Sequence, residues 1–164
     1  MTLPQPPSTT QPTIDWNDPK AKISKYFTVG EATYLPSWGV HHIPNDAEKV
    51  NIISMAAKMD LVRGAFNAAV TVHTWIRPTC VNCTDPAHKD GDYNKLVKGA
   101  PKSAHIDGLG VDFHVEKITC NDARTFLLPK LDEWKLRMED NPGSSWVHLD
   151  QKPVAPGGVR FFKI

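Results

Sequence analysis

The sequence predicts an α+β fold: a mostly antiparallel sheet of about four strands with helices packed on one face. Three observations carry that expectation. Apolar residues recur at helical spacing in two segments and alternate at strand spacing in four others. The elements follow one another as helix, strand, loop, strand, helix, strand, strand, with no internal repeat. A chain of 164 residues is near the size of one domain and long enough to bury its own core.

The first twenty residues hold five of the fourteen prolines and no apolar period, so residues 1–22 read as an extended arm and 23–164 as the folded domain. From Ile23, KISKYFTVGEATYL reads as a short packed segment leading into a loop that carries His41 and His42. Asn45 is an N-cap residue and Asp46 and Glu48 suit a first helical turn. With Val50, Ile53, Ala57 and Leu61 as its apolar stripe, a helix is expected from Asp46 to Arg63, ended by Gly64. A strand follows over Val70–Ile76, with Val70, Val72 and Thr74 on one face and His73, Trp75 and Arg77 on the other. Pro78 ends it, TCVNCTDPAHKDGD is loop-like, and Tyr93–Val97 suits a short helical turn. A Gly-rich loop then enters a strand over Gly110–Glu116 that turns Val111, Phe113 and Val115 inward and Asp112 and His114 outward. A second helix is expected from Asn121, with Ala123, Phe126, Leu127, Leu131, Trp134 and Met138 as its stripe and a break at Pro129. SSWVHLD and GGVRFFKI read as two closing strands, the first with Val147 and Leu149 opposed to Trp146, His148 and Asp150.

With 19 basic and 18 acidic residues, the composition gives no sign of a nucleic-acid partner. No apolar run approaches the roughly 20 residues of a membrane span, and no signal-peptide pattern opens the chain. Three cysteines are too few for a disulfide framework; they point to a reducing compartment, a local clip or a metal.

Three strand ends present polar side chains away from the core: His73 with Arg77, Asp112 with His114, and His148 with Asp150. His105 sits just ahead of the second, on a loop that Gly108 and Gly110 let turn sharply. His105, Asp112 and His148 are therefore candidate metal ligands. Two imidazoles and a carboxylate suit zinc, and a three-ligand site leaves a position open for chemistry.

SAHIDGLGVDF, with Ser103, His105, Gly108 and Asp112, resembles the Ser-x-His-x-x-Gly-x-x-x-Asp signature of the M15 zinc peptidases, which share the hedgehog/D-alanyl-D-alanine peptidase fold. SSWVHLD resembles the Trp-Val-His segment that carries the family's third ligand. VTVHTWIRP resembles the strand ending in its active-site arginine, and YNKLVKGAPKSAH its lead-in to the first histidine. KYFTVGEAT is similar to the opening of the phage-associated branch, so the resemblance runs from about Tyr26 to the C-terminus. It implies an M15-like peptidase domain over 23–164 with one catalytic zinc on His105, Asp112 and His148. Arg77 would hold a substrate carbonyl or carboxylate and stabilise the oxyanion. Ser103 would hydrogen-bond substrate or orient its loop, and Trp146 would line the substrate site.

Many family members carry an acid three residues before the last histidine, or a second histidine two before it; here those positions hold Ser145 and Trp146. Glu139 is then the first candidate for general base and Asp150 the second, with Asp140 and His114 behind them. Cys80, Cys83 and His88, with Cys120, offer a second, structural zinc site, against free thiols or a local disulfide. A thiol redox protein is disfavoured because Cys80 and Cys83 lie in a loop. The expected activity is zinc-dependent hydrolysis of peptidoglycan stem peptides, as a D-Ala-D-Ala carboxypeptidase or an L-Ala-D-Glu type endopeptidase. The expected setting is a monomeric phage lysin or virion-associated wall hydrolase, held in the producing cell's cytoplasm or on the virion and acting on the cell wall. The alternative is a metal-holding, non-catalytic module that binds the wall or a protein.

Overall fold

The computed structural model describes residues 13–79 and 92–163. The chain opens with α1 (Val29–Thr33), closed at its N-terminus by a reciprocal cap in which the Thr28 side chain accepts from the Glu31 amide and the Glu31 carboxylate accepts from the Thr28 amide. The short pair β1 (Tyr34–Leu35) and β2 (Val40–His41) follows, where only a loop is expected from the sequence. Asn45 and Glu48 cap the long helix α2 (Asp46–Phe66) in the same reciprocal way. The helix runs past Gly64 and ends at Asn67, which takes the left-handed conformation at φ 49°.

The buried face of α2 is Ile52, Met55, Ala56, Met59 and Val62. The expected stripe faces solvent instead, with Val50 67% exposed and Ile53, Ala57 and Leu61 exposed beside it. Both sets have helical spacing on this helix, and the one carrying two flexible methionines and a small alanine fits against the sheet.

The main sheet has five strands in the order β3 (Val70–Thr74), β4 (Gly110–Val115), β6 (Val147–Asp150), β5 (Arg137–Glu139), β7 (Phe161–Phe162). The first four pair antiparallel and β7 joins β5 in parallel, so the sheet is mixed. Its inner face, with Val111, Phe113, Val115, Val147, Leu149 and Met138, shares one core with Phe27, Val29 and the α2 stripe.

Two departures from the sequence reading shape the other face. In β3, Val72 pairs with Phe113 but Thr74 pairs with Asp112, so His73 is an extra, bulged residue. The bulge inverts the alternation beyond it, and Trp75, expected beside His73, is buried in the core at 1% exposure. The second helix is also shorter than expected. It is α4 (Cys120–Leu127), capped by Thr119 rather than begun at Asn121, and a 3-10 turn over Leu128–Lys130 carries Pro129 into the brief α5 (Leu131–Trp134). Lys135 stops α5 at φ 54°, and Met138 is buried from a strand instead of from a helix. Tyr93–Leu96 forms the expected short turn, α3.

Gly108 takes φ +71°, and a Cβ there would lie 2.8 Å from Ile52 Cγ1 on α2. Gly108→Ala is expected to lower the free energy of unfolding by about 1–3 kcal/mol, measured by urea denaturation of the metal-free protein; an unchanged midpoint would show that the loop relaxes without cost.

Candidate metal centre

The outer face of the sheet is polar, and the register decides what meets there. Asp112 on β4 lies directly opposite His148 on β6. Residues opposite one another across a strand pair point to the same side, so their side chains converge. His105 arrives from the loop before β4, pinned through its backbone: its carbonyl accepts from the Arg77 amide at 2.8 Å, and its amide donates to Ser103 Oγ at 3.3 Å. Gly110 leaves room for the His148 ring, since a Cβ there would come within 3.1 Å of His148 Cε1.

Three donor atoms meet in a small triangle. Asp112 Oδ1 lies 3.2 Å from His105 Nε2 and 2.7 Å from His148 Nδ1, and the two nitrogens are 3.2 Å apart. All three residues are buried. Each imidazole has its remote nitrogen committed: His105 Nδ1 donates to the Trp75 carbonyl at 2.8 Å, and His148 Nε2 donates to Asp150 Oδ2 at 3.3 Å. These partners fix the tautomers so that both inward nitrogens offer lone pairs. Two lone pairs and a carboxylate oxygen at this spacing repel unless a proton or a metal cation lies among them. Tetrahedral bonds of about 2.0–2.1 Å set neighbouring donors about 3.3 Å apart, close to the observed edges. His105, Asp112 and His148 can therefore hold a metal ion.

Asp150 is buried and saturated. Arg137 grips it through two hydrogen bonds of 2.8 and 2.9 Å, the Lys152 amide donates at 2.9 Å, and His148 completes the set. Arg77 donates from Nη2 to Asp112 Oδ2 at 2.8 Å, on the oxygen turned away from the triangle. Burial alone would push the Asp112 carboxyl up, but His105 and His148 outweigh it and hold the group well below the usual carboxylate range. Burial likewise opposes ionisation of Asp150, yet His148, Arg137 and the Lys152 amide bring it down to about 2. Burial lowers His105, whereas in His148 the bonds to Asp112 and Asp150 overcome burial and raise it to about 9. Without metal, then, His148 is an imidazolium between two carboxylates.

The centre opens into a cavity of about 480 Å³ whose walls include Ser103, Glu139, Trp146 and Phe162. Glu139 reaches it from β5 rather than from the loop before β6: pairing of Arg137 with Asp150 and Met138 with Leu149 turns Met138 inward and Arg137 and Glu139 to the metal face. No ion pair or hydrogen bond engages the Glu139 carboxylate among the described residues. Trp146 is 41% exposed at the rim, its carbonyl held by buried Arg124 on α4 at 2.6 Å. A second cavity shares Arg77, Lys98, Gly99, Asp112 and Trp146 with the first, so the groove continues past the centre. Asp140 pairs with Lys163 at 3.6 Å, and His114 pairs with His73. Cys80, Cys83 and His88 lie outside the described residues, and Cys120 is a free thiol at the start of α4.

Sequence reasoning missed three contributors. The Trp75 carbonyl orients His105 only because the bulge redirects the strand. Arg137 belongs to a strand too short to announce itself, Phe162 lies in the expected closing strand with nothing in that segment to mark it as facing the site, and the Arg137 guanidinium stacks on Phe162, 4.6 Å from its ring centre. Among the described residues, no helix is long and apolar enough to cross a membrane. No protein-family model, curated protein or solved structure matches the chain.

Because His148 is protonated in the metal-free state up to about pH 9, metal uptake at neutral pH is expected to release about one proton per ion. The apparent affinity should fall about tenfold for each pH unit below that point. Titration calorimetry in two buffers of different ionisation enthalpy reads the proton; an affinity constant between about pH 6 and pH 8 would mean His148 is already neutral. Stability of the metal-free protein has the matching sign. The His148 contribution is complete below 6.5 and lost as pH rises through about 9, and that of Asp150 is present above 3.8 and lost as pH falls through about 2. Urea unfolding in chelator should therefore show a maximum between those limits.

Proposed function

We propose that the chain is a zinc-dependent peptidase of the M15 type that hydrolyses peptidoglycan stem peptides, working as a phage lysin or virion-associated wall hydrolase. The observation that carries the metallopeptidase reading is the pairing of a preorganised His105, Asp112, His148 centre with an unengaged carboxylate, Glu139, on the wall of the same cavity. The substrate class and the setting rest on the sequence resemblance. Two imidazoles and a carboxylate form a donor set suited to zinc. Bound there, zinc supplies Lewis acidity and brings water's pKa toward neutrality.

The chain's own residues supply the rest. Glu139 accepts the proton of the attacking water and delivers it to the leaving amine. Arg77 aims Asp112 through its hydrogen bond, and its guanidinium lines the groove, where a developing oxyanion can be held. Trp146 gives a stacking surface at the rim and Ser103 a hydroxyl donor.

A non-catalytic, metal-holding binding module is the second reading, favoured by the engagement of Arg77 with Asp112 rather than with open cavity. Mass spectrometry of fragments released from purified peptidoglycan by zinc-loaded protein separates the two. His148→Ala should lose both metal and activity. Glu139→Gln should keep its zinc and lose about 10²–10⁴-fold in rate. Intact peptidoglycan on several wall chemotypes, with one zinc bound per chain, would overturn the enzyme in favour of the binding module.

A further inference from the structure

A second pair of imidazoles lies on the same face of the sheet, outside the centre described above. His114 projects from β4 two residues beyond Asp112, and its strand partner is Thr71. The bulge in β3 turns His73 toward it, so that His73 Nε2 and His114 Nδ1 lie 2.8 Å apart with ring centres 4.9 Å apart and planes tilted by 34°. His73 is exposed and His114 half-buried, so the pair is open to solvent. His73 also lines the second cavity, together with Arg77, Asp112 and Trp146. His73 therefore lines the groove, with His114 beside it.

Nothing in the proposed hydrolysis uses these two side chains, and the backbone irregularity that creates the pair is local to His73. Two nitrogens facing each other need a shared proton or a shared cation. Imidazole suits zinc, copper and nickel, and the two rings are already brought together by the pairing of His114 with Thr71 and by the bulge that turns His73 toward it. Two protein ligands leave coordination positions for water or for a donor on a substrate or partner, which makes such a site weaker and more exchangeable than the three-ligand centre.

We propose that His73 and His114 form a second site for a divalent transition-metal ion beside the groove. It is occupied only when metal is in excess over the first equivalent. The test is equilibrium dialysis of the full-length protein against rising free zinc, with bound metal counted by elemental mass spectrometry. A Cys80→Ser/Cys83→Ser/Cys120→Ser background removes thiolate binding. That protein should take up two zinc ions per chain, the second at least tenfold more weakly. His73→Ala and His114→Ala should each stop at one, and His148→Ala should lose the tighter ion while keeping the weaker. His73→Gln, which keeps a polar side chain in the bulge, should behave as His73→Ala does. A stoichiometry of one throughout, or a second ion that survives in the His73 and His114 variants, would overturn the proposal. Failure of His148→Ala to lose the tighter ion would instead count against the principal centre.

Discussion

The buried carboxylate of Asp112 is the charge around which the outer face of the sheet is organised. One of its oxygens faces two imidazoles and the other is held by Arg77, so neither is left to water. Asp150 repeats the theme one turn of the pleat away, with Arg137 and His148 as its partners. Two carboxylates and two guanidiniums cancel, and the residual charge of the site is whatever occupies the triangle. In the metal-free state that is the His148 proton; a dication would raise the net charge by one. Such clusters cost desolvation that their internal attraction only partly offsets, so they contribute little to stability as a whole, while removal of one member leaves a buried charge unpaired. The centre is specified by mutual dependence rather than by the strength of any single pair.

Most of this geometry is held by strands. Asp112, His148, Asp150, Arg137 and Glu139 all lie on paired strands whose opposite face is locked into the core through Val111, Leu149 and Met138. A slip of one residue would send every ligand into the core and every core residue into water, so the hydrophobic register fixes the polar site. His105 alone comes from a loop, and that loop is fastened at several points. The Trp75 indole donates to the Gly108 carbonyl at 3.3 Å, and the Trp75 carbonyl takes the His105 ring. Trp75 is in turn packed edge-on against Phe27, with ring centres 5.7 Å apart, which ties the loop ligand to the N-terminal part of the core.

The ligand positions were legible because alternation in Gly110–Val115 and Val147–Asp150 is unbroken, so apolar residues on one face imply the direction of Asp112 and His148 on the other. The helix starts at Asn45 was legible because capping is local chemistry. Features set by tertiary packing were not. Two stripes of helical spacing compete on α2, and only the shape of the sheet beneath chooses between them. The bulge at His73 has no marker in VTVHTWIRP, and it alone decides that Trp75 is core. Arg137–Glu139 was hidden because Met138 extends the preceding helical stripe, whereas Lys135 in a left-handed conformation ends the helix first.

The same strand bears on the proton carrier in the proposed hydrolysis. Asp150 and Glu139 lie on one face, yet their surroundings push them toward different roles. Asp150 has no exposed surface and accepts from Arg137, His148 and Lys152, so its lone pairs are spent on orientation. A carboxylate held down to about 2 is also a poor proton acceptor near neutral pH. Glu139 is half-buried, lines the cavity and is engaged by no described group. Many members of the family that the sequence resembles carry an acid three residues before the last histidine or a second histidine two before it, where this chain has the exposed Ser145 and Trp146. The antiparallel pairing of β5 with β6 offers a substitute in space for what is missing in sequence. A residue nine positions upstream of His148 is carried back to its side by the turn between the two strands, and the proposed chemistry asks only that the carboxylate be there, not that it come from the same strand.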